Sequence, residues 1–180
     1  MHCATPATNR PPSVKHELKF VLPDACAPTI VRWLRCRCRP HPEFPAGIVS
    51  SIYYDTPSLH AYREKADGDF VKTKCRLRWY DPDLSPDPSL RTAYLEIKHK
   101  IGTGRRKTRV RLEIGRDRLD HAGLDHPDFA QILARNAASL QEWLQPGLMP
   151  AAVVAYRRRR VICPFTLSRV CLDTSIGLRR

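Results

Sequence analysis

At 180 residues the chain has room for one domain, and its 31 Lys and Arg outnumber 18 Asp and Glu, for a net charge of +13. That balance favours anionic partners, while no apolar run reaches transmembrane length and the N-terminus lacks the hydrophobic core of a secretory signal. The seven cysteines show no regular framework and no Cys-x-x-Cys, which speaks against a disulfide scaffold or structural zinc and for a reducing, cytoplasmic compartment.

Residues 1–12 are polar and Pro-rich and read as a disordered tail ahead of a domain over 13–180. A strand is expected from Val14 to Leu22, and then a helix from Pro23-Asp24 through Ile30, Val31 and Leu34 to the Arg-rich stretch before Pro40. After the Pro40–Pro45 loop comes a strand over Ile48–Tyr54. Asp55-Thr56-Pro57 supplies a helix-start signal for Ser58–Lys65. Asp67-Gly68-Asp69 turns the chain into a basic strand over Phe70–Tyr80, and Asp81–Ser89 reads as a surface loop. A hairpin is expected around Gly102-Thr103-Gly104. This segment has the flavour of a phosphate loop, but the Gly before Lys107 is missing. Asp125-His126-Pro127 opens a helix with Phe129, Ile132, Leu133, Leu140, Trp143 and Leu144 at helical spacing, stopped by Pro146-Gly147. Strands over Ala152–Ile162 and Thr166–Asp173 complete an α+β order.

The strands share one pattern. Lys72, Lys74, Arg76 and Arg78 alternate with Thr73, Cys75, Leu77 and Trp79, so a strand sets the cations on one face and the apolar residues on the other. Glu96, Lys98 and Lys100 oppose Leu95 and Ile97, while Lys107, Arg109 and Arg111 oppose Thr108, Val110 and Leu112. Lys15, Glu17 and Lys19 alternate near the start. Tyr156, Arg158 and Arg160 share a parity near the end, and Arg169 follows in the last strand. Paired in register, these strands merge their charges into one cationic surface. Two like charges about 5 Å apart repel by roughly 3 kcal/mol at an effective dielectric near 20. A closed interior would therefore need a polyanion or bound counterions, whereas an open face is screened by water and salt. The pattern predicts an antiparallel β-tunnel with a Lys/Arg-lined interior, helices packed outside and a phosphate-rich ligand. Cys75 and Cys171 read as small strand residues.

The ordered motifs Glu17-Leu18-Lys19-Phe20, Ser51-Ile52-Tyr53-Tyr54-Asp55-Thr56, Tyr62-Arg63-Glu64-Lys65, Lys74-Cys75-Arg76-Leu77-Arg78-Trp79-Tyr80, Leu95-Glu96-Ile97-Lys98 and Leu172-Asp173-Thr174 resemble the VTC domain over roughly residues 14–178. That family lies within the triphosphate tunnel superfamily, and the resemblance implies a polyphosphate polymerase fold with a Lys- and Arg-lined tunnel. It further implies that Lys19, Arg76, Arg78, Lys98, Lys107, Arg158 and Arg169 contact substrate phosphates. Lys74, Arg109 and Arg111 join them by strand parity, although four consecutive arginines leave the register of residues 157–160 open. Glu17 and Glu96 would orient lysines or help hold Mn²⁺ or Mg²⁺. Lys15 stands where the superfamily often has the first Glu of Glu-x-Glu-x-Lys, and the chain stops at Arg180, where the family is expected to continue with further strands. A C-terminally incomplete tunnel is therefore expected.

The implied reaction moves the γ-phosphoryl group of ATP to the end of an inorganic polyphosphate chain. Arg76, Arg78, Lys98 and Lys107 would be catalytic, and a membrane protein is a conceivable partner. The rival readings are a non-catalytic polyanion-binding module and a triphosphatase. Specific nucleic-acid binding is not expected, because no complete recognition motif appears.

Overall fold

The alternation of the basic strand carries through the whole sheet. The computed structural model describes residues 17–82, 85–120, 123–124, 126–136, 140 and 144–179. The expected tail over 1–12 lies outside them, as do Val14–His16, Asp125 and Trp143. A short 3-10 turn, Asp24–Cys26, leads into α1, Ala27–Arg37. There follow β1 (Arg39–Pro40), β2 (Ala46–Asp55), α2 (His60–Ala66), β3 (Val71–Asp81), β4 (Leu90–Ile101) and β5 (Gly104–Gly115). Then come α3 (Arg116–Asp120), α4 (Pro127–Arg135), β6 (Met149–Ile162) and β7 (Arg169–Arg179). The strands form one antiparallel sheet in the order β1-β6-β2-β3-β4-β5, with β7 on the other side of β6.

The core lies on the apolar face of this sheet. Ile52 and Tyr54 of β2, Cys75, Leu77 and Trp79 of β3, and Ala93, Leu95 and Ile97 of β4 are buried beneath Leu119 of α3 and Phe129 and Leu133 of α4. The Tyr54 hydroxyl donates to the Phe129 carbonyl at 3.0 Å, tying sheet to helix, and burial raises the pKa of that hydroxyl. Burial likewise pushes the Cys75 thiol up to about 12, so Cys75 behaves as the small core residue expected of it, whereas Cys171 is exposed. No helix among the described residues is long and apolar enough to cross a membrane.

The α+β class, the helices outside the sheet and the incompleteness of the tunnel agree with the sequence reading. The sheet curls into a half-barrel, and among the described residues β5 and β7 do not pair with each other. Enclosing a space filled by side chains takes about eight strands. This sheet has seven, and β1 is only two residues long.

The expected first strand also differs. Residues 17–23 carry no strand, and Leu18, Phe20 and Val21 are all exposed, so the alternation there meets no sheet edge. Among the remaining elements, β1 and α3 were not anticipated and β7 extends well past Asp173, while α4 ends at Arg135, about ten residues before the stop expected at Pro146-Gly147; the other boundaries fall within a few residues of expectation.

Two glycines are demanded by the backbone. Gly102 turns the β4–β5 hairpin at φ 56°, in the left-handed region. Gly47 lets β2 approach β3 so closely that an added Cβ would lie 2.6 Å from the Asp81 carbonyl oxygen. Gly47→Ala should therefore destabilise the chain by about 2 kcal/mol through forced strand separation, read as a lower Tm. An unchanged Tm would show that the strand ends yield freely.

Candidate functional site

The sheet register sorts the cations into rows across the concave face. Lys74, Lys98 and Lys107 stand side by side on β3, β4 and β5, and Lys72, Lys100 and Arg105 form the row beyond them. In the other direction come Arg76, Glu96 and Arg109, then Arg78, Tyr94 and Arg111. β2 extends these last two rows, with Tyr53 opposite Arg76 and Ser51 opposite Arg78. One end of the trough is therefore rich in lysine, while arginines and aromatic rings occupy the middle and the other end.

Glu96 is the hub of the middle row. Its side chain is only 1% exposed; it accepts from Arg76 at 2.6 Å and from Lys107 at 2.5 Å, and forms an ion pair with Arg109 at 3.3 Å. Burial pushes this carboxyl up, but the hydrogen bonds from Lys107 and Arg76 outweigh it and bring it down to about 2. The Arg76 guanidinium also donates to the Tyr53 hydroxyl at 3.3 Å.

Arg78 is a different case. It is 7% exposed; its Nε donates to Ser51 Oγ at 3.1 Å and its Nη2 to the Tyr156 hydroxyl at 3.4 Å. Among the described residues no carboxylate pairs with it, so its charge is held by neutral hydroxyls. Lys98 and Lys74 are both pulled below the usual lysine range. Desolvation is the first cause for each; Arg76, Lys107 and Arg78 add to it at Lys98, and Lys65, Lys19 and Lys72 at Lys74.

The far wall comes from β6 and β7. Arg158 and Arg160 face inward while Arg157 and Arg159 are exposed, which settles the register of the arginine run. Asp173 on β7 takes Arg158 in a two-pronged pair at 2.7 Å, and this hydrogen-bonded pairing raises the pKa of the guanidinium. Arg169 stands opposite Ile162 at the exposed start of β7, away from the central rows. Arg111 is at the β5 edge, bound to Glu113 at 2.9 Å. Glu17 and Lys19 pair at 3.6 Å on the exposed N-terminal segment, yet Lys19 is near enough to bear on the Lys74 charge.

The register thus brings Lys74, Arg76, Arg78, Lys98, Lys107 and Arg109 together, with Arg158 across the trough and Lys19 at its lysine-rich end. The sequence reading missed Ser51, Tyr53 and Asp173 as the groups that hold these cations. Alternation from Ser51 through Tyr53, opposite Ile52 and Tyr54, was the available signal for the first two.

The carboxylates do not fit the metal role expected of them. Both Glu96 oxygens are taken by cations, and Glu17 is far from being part of a ligand cluster. Among the described residues no three His, Cys, Asp or Glu side chains gather into a group able to hold an ion.

The arrangement can bind a linear polyanion. Glu96, Glu113 and Asp173 are each engaged by an arginine, while Lys72, Lys74, Lys98 and Lys100 share the concave face. The family model of the VTC domain matches residues 14–180, and the chain belongs to that family. Comparison with curated proteins gives no match. Membership makes a polyphosphate-related function the general expectation for this trough.

Proposed function

We propose, on the premise that the chain is a VTC domain, that the trough binds the phosphates of ATP and of inorganic polyphosphate and transfers the γ-phosphoryl group to the polymer end. The observation that carries this reading is Arg78: a nearly buried guanidinium between Ser51 and Tyr156, without a carboxylate among the described residues. Burying an uncompensated charge costs several kcal/mol, which an entering phosphate would offset. The terminal oxygen of the polymer, already ionised, would attack the γ-phosphorus as the bond to ADP breaks. No general base is then needed. Arg76 and Arg78 would grip equatorial oxygens with their planar forks, and Lys98 and Lys107 would act as point charges beside them.

A second reading has an observation of its own. Glu96 is saturated by cations, and among the described residues no carboxylate cluster stands ready for a metal, which favours a module that binds polyphosphate without consuming ATP.

Calorimetric titration with tripolyphosphate, followed by incubation with γ-labelled ATP and Mn²⁺, separates the two. Saturable binding lost in a folded Arg76→Ala/Arg78→Ala variant, together with label in a long polymer, is the expected result. Binding without polymer would leave the non-catalytic module. No binding by the folded wild type would overturn both.

A further inference from the structure

The antiparallel register of β1 on β6 pairs Arg39 with Ile162 and Pro40 with Val161, so one step further it sets Cys38 opposite Cys163. Cys38 follows α1 with an extended backbone, φ −128° and ψ 157°, and so continues the line of β1. Neighbouring hydrogen bonds fix the phase of the ladder. The His41 N–H donates to the Arg160 carbonyl at 3.0 Å. At Cys163 both backbone groups turn toward β7 instead: its N–H donates to the Ser168 carbonyl at 3.0 Å, and its carbonyl accepts from Leu167 at 2.9 Å. Cys38 and Cys163 are therefore a non-hydrogen-bonded cross-strand pair, the kind whose Cα atoms approach to about 4.5 Å with both side chains on one face. Disulfide-linked residues have Cα separations of roughly 4.4–6.8 Å. Both thiols are free and half-buried, within reach of a small oxidant. Cys163 has the parity of the outward Arg157 and Arg159, whereas Cys171 stands opposite Arg160 and shares the trough face. Cys75 is buried in the core, and Cys26 lies at the other end of α1.

We infer that Cys38 and Cys163 are a site of reversible oxidation, closing a disulfide that staples the end of α1 to β6. The inference stands apart from the phosphate reading above. Among the described residues no three metal-ligating side chains gather, so the pair does not belong to a metal cluster. The oxidant is a low-molecular-weight disulfide such as oxidised glutathione. The Cys163 thiolate attacks one of its sulfurs and releases one small thiol; Cys38 then displaces the second as the mixed disulfide breaks. The protein loses two protons and two electrons, and the small disulfide becomes two thiols. Cys163 is the first nucleophile, because hydrogen bonding with the Thr166 side chain, then with the Thr166 and Phe165 backbone, lowers its pKa and favours the attacking thiolate. The staple acts where pairing is weakest, since β1 holds β6 through only two residue pairs. Beyond β1 the chain runs on to Pro45, whose carbonyl accepts from the Arg160 N–H at 2.8 Å. Oxidation thus anchors the segment that rests against Arg160 at one wall of the trough.

The test equilibrates the full chain with mixtures of oxidised and reduced glutathione, quenches in acid, alkylates the remaining thiols and maps the peptides by mass spectrometry without reductant. A peptide pair joined through Cys38 and Cys163 is expected, and dithiothreitol should dissolve it. The oxidised chain should melt roughly 5–15 °C higher than the reduced one, as a bridge across a long loop implies. Cys36→Ser, at an exposed position two residues from Cys38, should leave both results unchanged. Cys38→Ser should stop the reaction at a glutathione adduct on Cys163. Alkylation of both Cys38 and Cys163 under conditions that attach glutathione to Cys36 would overturn the inference, as would a bridge from either thiol to Cys36 or Cys171. A Cys38–Cys163 bridge that leaves the Tm unchanged would overturn the stapling role.

Discussion

Replacing Glu96 by glutamine should make the free chain less stable and its grip on tripolyphosphate tighter. The carboxylate is buried among Arg76, Lys107 and Arg109 and is the counter-ion of the middle row. Removing one partner of a buried ion pair typically costs 3–5 kcal/mol, and the glutamine carbonyl still accepts a hydrogen bond, so a loss of about 3 kcal/mol is expected. The same change removes a negative charge from the floor of the trough and frees Lys107 and Arg109 for phosphate, which should raise affinity about tenfold at low salt and less at high salt. Saturating tripolyphosphate, at about 100 times its dissociation constant, should return about 2.7 kcal/mol and so recover most of the lost Tm.

The wild type has a matching pH dependence. The folded carboxyl, at about 2, lies below the ordinary value of 4.5, so its stabilising contribution is full above that value and disappears as the pH falls from 4.5 through 2. The Gln variant should lack this acid transition. If it lost affinity as well as stability, Glu96 would instead be the group that holds Arg76 in its binding geometry.

Much of this arrangement was legible in the sequence because a strand obeys a period of two. The cations on β3, β4 and β5 could be assigned to one face without a structure, and hairpin pairing through Gly102 placed Lys98 beside Lys107. Parity says which face a residue takes; it does not say which partner it finds there. Glu96 read equally well as a metal ligand until pairing placed Arg76 and Arg109 on either side of it, with Lys107 also in reach. Long-range pairing was similarly hidden. β6 crosses back to lie beside β2, so Tyr156 reaches Arg78 from 78 residues away, and Asp173 finds Arg158 only because β7 folds against β6. Alternation over Glu17–Phe20 illustrates the opposite failure. The pattern suits a strand, but a strand also needs an edge with free backbone groups, and that is a property of the assembled sheet.

Arg78→Met should produce the mirror image of the Glu96 result: a more stable chain that holds tripolyphosphate less tightly. The Arg78 side chain is almost fully enclosed, and its charge is answered only by the hydroxyls of Ser51 and Tyr156 among the described residues. Methionine fills similar volume with an unbranched, adaptable chain, and exchanging a buried ion for an apolar residue of like size is often neutral or stabilising by 1–4 kcal/mol. Ser51 Oγ loses a donor, which costs about 1 kcal/mol, so a net gain of about 1 kcal/mol and a higher Tm are expected. Binding should move the other way. A hydrogen bond to a charged group is worth about 1.5–3 kcal/mol, so affinity for tripolyphosphate should fall by roughly 10- to 100-fold. Thermal melting and calorimetry on the same sample decide the matter. A rise in Tm with lost affinity would mean that Arg78 is retained for its ligand at the expense of the fold. A fall in Tm with affinity unchanged would make it a structural tie between β2, β3 and β6, and the case for a phosphate at this position would then fail.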